Sequence, residues 1–433
     1  MKRIRVARVA RVALVALVAL LALVLISPAF AQLKEGDRVA ITGDSITEQK
    51  QYSVFIQDYF LMCKPKPNLS AIQFGWGGET SWGFLARMKN DALPFQPTVA
   101  TTCYGMNDGG YSPMTEDKAK RYRDATRGIV KTFKEAGVRF IVVGSPGVVD
   151  STKFRRGENP AAAEMYNKTL GELRNIAREV ATEEGVSFAD VYGAMMEAMP
   201  KAKAKFGDDY AFAGGDGVHP GPNGHLVMAY AFLKALGCDG DIGTITLDLG
   251  TGQAEASEGH TLVSAAPGRV EVESGKYPFC FTGKSGGGDA GATIDTAQMI
   301  PFNEELNRFK LVVKGVPASA QRLRVTWGET SKEFATADLT AGVNLAAAFP
   351  EGNPFALSFK RGEDAIRAQQ NFETPLVKRL INAVPQYKEM LPEEAATLDK
   401  LVEAGRAKRD KLAAAAKAAV EPVRHTIKVE VVN

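Results

Sequence analysis

Ser45, Asp216 and His219 are residues whose types could carry out acyl transfer if folding brings them together. A serine hydroxyl is a poor nucleophile until a base takes its proton. The imidazoles that could serve are His219, His225, His260 and His425. His219 alone lies in a loop flanked by glycine and proline, with a carboxylate, Asp216, three residues earlier. Asp216 can accept the other ring N–H, which fixes the tautomer and stabilises the imidazolium. The tetrahedral intermediate of such a reaction needs donors aimed at its oxyanion. The candidates are the backbone N–H groups of Ser45 and Gly78 and the side-chain amide of Asn107. One such donor is typically worth ~3 kcal/mol of barrier.

These residues fall just after predicted strands. Ser45 belongs to "RVAITGDSITEQKQYSVFIQDYF", Arg38 to Phe60, which reads as a buried strand, an abrupt turn and a helix. Strands are predicted at Arg38–Thr42, Ala71–Phe74, Thr98–Tyr104, Val138–Gly144 and Val186–Asp190. Helices are predicted at Tyr52–Cys63, Ser81–Asn90, Glu116–Ala136, Pro160–Glu184 and Asn223–Leu236. Continuous apolar strands alternating with amphipathic helices indicate a parallel sheet covered on both faces. Such sheets bind ligands beyond the carboxyl ends of their strands. "GDS", "GWGGET" and "GMND" follow the first three strands, and "DGVH" precedes the last helix. In a parallel sheet all four reach one edge.

Each motif also has a structural reading. Ser45 with Glu48 three residues on fits a helix capping box. Gly78 fits a turn, and Asn107-Asp108 before Gly109-Gly110 fits turn chemistry. Asp-x-x-His fits a surface loop. His225 reads as a helix-surface or core residue, and His260 and His425 show no obvious partners. The joint order of the four motifs, each beside the right element, favours catalysis.

After Gly237 the texture changes. "DIGTITLDLG", "HTLVSAAPGRVEVESG", "NRFKLVVKGVP" and "QRLRVTWGE" predict short antiparallel strands, and "KSGGGDAGAT" a flexible loop. Pro354 to Val420 is mostly helical and closes at Pro422. In "HTIKVEVV", Ile427, Val429 and Val431 alternate with Lys428 and Glu430, which predicts a strand with one buried face returning to the β region. The expected organisation is a signal segment over 1–31, an α/β domain over 32–240, a β-rich region over 241–352 and a helical region over 353–433.

The first residues read as an export signal. Lys2, Arg3, Arg5, Arg8 and Arg11 precede an apolar run from Val12 to Ile26, and Ala29-Phe30-Ala31 fits a cleavage site before Gln32. The alternative is an N-terminal membrane anchor, but the run is short of the ~20 apolar residues a span needs. Losing these five bases takes the formal charge from +3 to −2. No basic patch with interleaved aromatics marks a nucleic-acid partner. An exported chain permits disulfides between Cys63, Cys103, Cys238 and Cys280, with Cys238–Cys280 the pair to test first. Cys103 reads as a buried thiol. No CxxC occurs, which disfavours a zinc cluster.

The four motifs together resemble the SGNH hydrolases, also called GDSL-type esterases, over about Asp37 to Gly237. The family's namesake residues match Ser45, Gly78, Asn107 and His219, with Asp216 completing the triad. Gly75 and Gly77 are alternatives to Gly78. The opening motif has Ile46 where the family name has Leu. The resemblance implies a flavodoxin-like three-layer α/β/α fold, ester hydrolysis without metal or cofactor, and an open site. The C-terminal region lies outside it.

The expected activity is hydrolysis of short O-acyl groups, acetyl above all, from carbohydrate. Trp76, Trp82, Tyr104 and Tyr111 flank the motif loops. Of these, Trp76 and Tyr111 are the candidate sugar contacts, while Trp82 and Tyr104 read as core packing. The alternatives are an acyltransferase using the same triad, and an exported carbohydrate-binding or cell-envelope protein with a lapsed site.

Overall fold

The computed structural model of the chain describes residues 32–154 and 162–432. The expected signal segment and the start of the helix predicted from Pro160 lie outside the described residues. Strands β1 (Arg38–Gly43), β2 (Ser70–Gln73), β3 (Val99–Cys103), β4 (Phe140–Gly144) and β5 (Ser187–Ala189) form one sheet in the order β2-β1-β3-β4-β5. Every pairing in it is parallel. This is the doubly wound order of flavodoxin-like folds. Gly43 pairs with Cys103, and Cys103 with Gly144, so three strands end in register and release their loops on one edge.

Helices α1 (Ser45–Glu48), α2 (Tyr52–Asp58), α3 (Ser81–Asp91), α4 (Glu116–Glu135), α5 (Ala162–Glu183), α6 (Val191–Phe206) and α7 (Pro222–Ala235) connect and follow the strands. Helices α3, α4 and α5 pack side by side as one layer, and α2, α7 and α6 as the other. Helix α4 shows why. Thr115 caps its N-terminus, and Tyr122, Ala125, Ile129, Val130 and Phe133 make a buried stripe at helical spacing. The expected Tyr52–Cys63 helix is α2 followed by a wider turn at Tyr59–Cys63. Helix α6 was not expected from the sequence, because Gly193 and Pro200 interrupt its period. It forms because Asp190 caps it and Met195, Ala198, Met199 and Ala202 are buried.

The C-terminal region adds two sheets. Strands β6 (Asp241–Asp248), β7 (Ala254–Ala256), β8 (His260–Ala266), β9 (Arg269–Ser274), β10 (Arg308–Lys314), β11 (Arg322–Trp327), β12 (Thr330–Ala335), β13 (Val343–Asn344) and β14 (Val423–Val432) divide between them. The first has the order β13-β10-β6-β7 and the second β12-β11-β14-β9-β8. The antiparallel expectation fails at one place, since β6 and β10 run parallel. A parallel pair needs a long crossover, and here β7, β8 and β9 lie within it. The last strand does return, and it takes the centre of the second sheet, between β9 and β11. Ile427 and Val429 are buried as expected, but Val431, next to the end of the strand, is exposed.

His260 and His425, which seemed partnerless, belong to a buried chain. His260 Nδ1 meets Ser274 Oγ at 2.8 Å, Ser274 Oγ meets His425 Nε2 at 2.9 Å, and Trp327 donates to His425 Nδ1 at 3.2 Å. Burial lowers both imidazole pKa values, that of His425 to about 3. They are structural groups. All four cysteines are free thiols, so the Cys238–Cys280 bridge is not formed.

The C-terminal helices close an open edge. Strand β2 is the last of the parallel sheet, and an uncovered edge strand invites pairing with another chain. Gln369, on the helix Ala356–Pro375, donates to the Ala71 carbonyl at 3.1 Å, and Glu373 accepts the Gln73 N–H at 3.1 Å. Arg409, on the helix Ala395–Ala418, also reaches the Ala71 carbonyl and pairs with the buried Glu373 at 3.0 Å. The helix Ala356–Pro375 also packs on α2, every residue of which is buried. From Leu33 onward the chain folds as one unit. Among the described residues no helix is long and apolar enough to cross a membrane.

Candidate active site

The first loop on the shared edge carries Ser45. Asp44, not Ser45, caps the single turn α1, its Oδ1 accepting the Ile46 N–H at 2.9 Å. The capping-box reading of Ser45 is therefore not what the structure contains. Glu48, the other half of that box, turns away to accept the Gly77 N–H. Gly43 is needed at the strand end, since a Cβ there would lie 2.8 Å from the Cys103 carbonyl oxygen. With its hydroxyl released from capping, Ser45 Oγ lies 2.8 Å from His219 Nε2, across 174 residues of chain.

His219 comes from the loop before α7. Its Nδ1 lies 2.7 Å from Asp216 Oδ2. Asp216 Oδ1 accepts the N–H groups of Val218 and His219, both at 2.9 Å, so the carboxylate is held by its own loop. Burial pushes the Asp216 pKa up, but the His219 ring and these two N–H groups outweigh it and hold the carboxyl below its usual range. Gly217 has φ +74°, and a Cβ there would meet Phe154 N at 2.4 Å. Only glycine lets the chain turn so tightly beside that segment. The ring order is therefore serine oxygen, Nε2, Nδ1, carboxylate. A neutral imidazole bearing its proton on Nδ1 can accept one from Ser45.

The second loop distinguishes its three glycines. A Cβ on Gly75 would lie 2.3 Å from Glu48 N, and one on Gly77 would lie 2.9 Å from Glu48 Oε2. Both are small so that the loop can pack on α1. Gly78 has φ +74° with open space where a side chain would be. The N–H groups of Ser45 and Gly78 meet no acceptor among the described residues. In the third loop, Asn107 Nδ2 donates to the Glu79 carbonyl at 2.9 Å, which leaves its second N–H for another acceptor. Its Oδ1 accepts from Tyr111 at 3.3 Å. Tyr111 adopts φ +54° and packs on Tyr166, with ring centroids 4.9 Å apart.

A layer of buried acids beneath these loops was not anticipated from the sequence. Glu79 forms an ion pair with Arg87 at 2.6 Å and accepts from Tyr104 at 3.1 Å, so Tyr104 is indeed a core residue. Arg87 also donates to the Phe74 carbonyl at 2.7 Å. Asp108 accepts from the Ser81 N–H at 2.9 Å and from the Gly105 N–H at 3.0 Å. His225 is fully buried and stands behind the triad loop. Its Nε2 lies 3.0 Å from Gln49 Oε1, and Gln49 Nε2 donates to the Pro220 carbonyl at 3.4 Å.

The acid layer carries a pH prediction. Burial, augmented by the charges of Asp108 and Glu79, pushes the Asp44 pKa up to about 7. In the unfolded chain it returns to 3.8. Between those values the native state holds a proton that the unfolded state has lost. The stability this proton contributes is complete below about pH 4 and is lost as the pH rises through about 7. Asp44→Asn keeps an acceptor for Ile46 and removes the titration. Its melting temperature relative to wild type is expected to climb between pH 4 and pH 8. A difference that stays flat over that range contradicts the assignment.

Trp82 departs from its core-packing reading. It is half-buried and lines a cavity of about 840 Å³ together with Leu85, Asn107, Asp108 and Arg121. The Arg121 guanidinium sits 4.8 Å from the Trp82 ring centroid. Trp76 is half-buried too, with Arg87 at 4.7 Å and Lys378 at 4.8 Å from its ring centroid. Among the described residues no group of three or more His, Cys, Asp or Glu side chains could hold a metal ion.

Residues 41–227, which contain all of these loops, match the GDSL-like lipase/acylhydrolase family. This part of the chain is a GDSL-like hydrolase domain. The chain is also similar to an acetylxylan esterase of Geobacillus stearothermophilus, 21% identical over 227 residues, which are 48% of this chain and 96% of that protein. The solved structure of that esterase superposes with a TM-score of 0.40. A gut microbial diltiazem-metabolizing enzyme is 23% identical and superposes with a TM-score of 0.69 over 93% of this chain and 100% of its own. That likeness is one of fold, and it extends beyond the GDSL-like domain into the C-terminal sheets and helices.

Proposed function

We propose that the protein is a serine esterase that removes short acyl groups, acetyl foremost, from carbohydrate hydroxyls. The observation that carries this reading is the unbroken hydrogen-bonded line from Ser45 Oγ through the His219 ring to Asp216, at 2.8 and 2.7 Å. His219 takes the Ser45 proton as Oγ attacks the ester carbonyl. The carbonyl π bond opens to an oxyanion held by the N–H groups of Ser45 and Gly78 and by the Asn107 amide. The C–O bond then breaks, and His219 protonates the departing sugar oxygen. Water attacks the acyl-enzyme by the same route, releasing the acid and restoring Ser45.

The carbohydrate part rests on different support. Ser45 and His219 are half-buried, not enclosed, which leaves a way in for a bulky alcohol. Trp82 offers an aromatic surface beside Asn107, suited to a sugar ring. Relationship to an acetylxylan esterase points the same way. Tyr111, the other aromatic beside this loop, donates to Asn107 Oδ1 at 3.3 Å, which supports a role in holding that amide. The basic and apolar start of the sequence fits action outside the cytoplasm after cleavage near Ala31.

A panel of acetylated xylo-oligosaccharides and p-nitrophenyl esters of rising chain length tests the reading. Acetate esters are expected to lead, with kcat/KM falling by about tenfold or more to octanoate. Preference for octanoate overturns the short-acyl assignment. A transferred acetyl group on added free sugar, in place of released acetate, makes the protein an acyltransferase.

A further inference from the structure

The wider helical turn Leu376–Ile381 follows Pro375 and lies well outside the GDSL-like domain. Such turns often sit at functional places. This one is fastened to the catalytic half on both sides. Ahead of it, Gln73 Nε2 donates to Thr374 Oγ1 at 2.7 Å. Behind it, Asn382 donates to the buried Asp91 at 3.0 Å, and Asn90 donates to the Ile381 carbonyl at 3.1 Å. Lys378 is therefore presented from a pinned stretch of backbone.

Its ammonium lies 2.7 Å from Glu48 Oε1 and 4.8 Å from the Trp76 ring centroid. Glu48 ends the single turn that begins at Ser45, and its other oxygen accepts the Gly77 N–H. One carboxylate thus ties the nucleophile's helix to the residue preceding Gly78, and one lysine from the far end of the chain holds that carboxylate. The side chains of Lys378 and Glu48 are each about three-quarters buried, so solvent screens the pair less than a surface bridge. Gln73 Oε1 accepts the Gly75 N–H at 2.9 Å, which fixes the start of the same loop.

We propose that Lys378 is a positioning residue of the hydrolytic site: through Glu48 it holds the Gly77–Gly78 backbone in register with Ser45. The inference rests on the esterase reading, in which Gly78 N–H faces the oxyanion. A donor loop that is not held must be ordered in every turnover, so the loss belongs to kcat.

Lys378→Met removes the charge and keeps the length. Its kcat on p-nitrophenyl acetate is expected to fall by about 10- to 100-fold, with KM within about twofold. Lys378→Arg is expected to recover most of the loss. Glu48→Gln should match Lys378→Met, and the double variant should fall no further, because both cut one link. Amide hydrogen exchange across residues 74–80 supplies a readout independent of turnover, and Lys378→Met is expected to exchange faster at Gly77. Unchanged exchange overturns the proposal whatever the kinetics show. Faster exchange with unchanged kcat overturns it too, as does a loss that Lys378→Arg fails to recover. A wild-type protein without ester turnover rejects the esterase reading, while the exchange data still decide whether Lys378 holds the loop.

Discussion

Ser45→Ala is expected to lower kcat by about 10⁶-fold while leaving the melting temperature where it was. The two halves of this expectation come from the same loop. Removing Oγ removes the atom that would form the acyl-enzyme, and His219 is then left with no hydroxyl to deprotonate. A serine at the start of a helix would ordinarily confound the test, since deleting a cap costs about 1 kcal/mol. Here Asp44 accepts the Ile46 N–H, and Ser45 Oγ is bonded to His219. Ser45 is only half-buried, and the change removes a single oxygen atom, so it leaves no cavity of consequence. Steady-state rates and thermal unfolding on one preparation separate catalysis from stability. Turnover within tenfold of wild type would remove Ser45 from the mechanism.

His219→Ala is expected to fall as far, and the Ser45→Ala/His219→Ala double variant no further than either alone. Groups that act as one unit are grossly non-additive, because the second deletion removes nothing the first left working. Asp216→Asn tests the third member. In a buried triad such a change costs about 10⁴-fold, through the wrong imidazole tautomer. The Asp216 side chain is 48% exposed, and its loop also holds it by the N–H groups of Val218 and His219. A loss nearer 10²- to 10³-fold is expected, as solvent takes over part of its work. Losses that multiply in the Ser45→Ala/His219→Ala variant would mean the two residues act independently, against the 2.8 Å contact.

The α/β half was largely legible because its signals are local. Apolar runs of strand length, amphipathic stretches and glycine-bearing turns placed β1 to β5 within a few residues of where they lie. The four motifs could be read for the same reason, since each is a short loop beside its own element. Where signals compete, the reading failed. Helix α6 contains Gly193 and Pro200 and is held by Asp190 and by burial. Ser45 fits a capping box, yet the adjacent Asp44 takes the N–H, and Glu48 is drawn off by Gly77 and Lys378.

By itself the sequence determined the alternation of strand and helix, the four loops and the residue types that could serve as nucleophile, base and donors. Only the tertiary structure decided which groups meet. It joined Ser45 to His219, left open space at Gly78 while Gly75 and Gly77 pack on α1, and sank Asp44, Glu79 and Asp108 beneath the site. It also made β6 and β10 parallel and brought Lys378 to Glu48 across 330 residues. The physical reason is that periodicity and capping act over a few residues and are written in the chain's order. Contacts between distant groups are selected by packing, by the burial of apolar faces and by the cost of leaving a buried polar group without a partner.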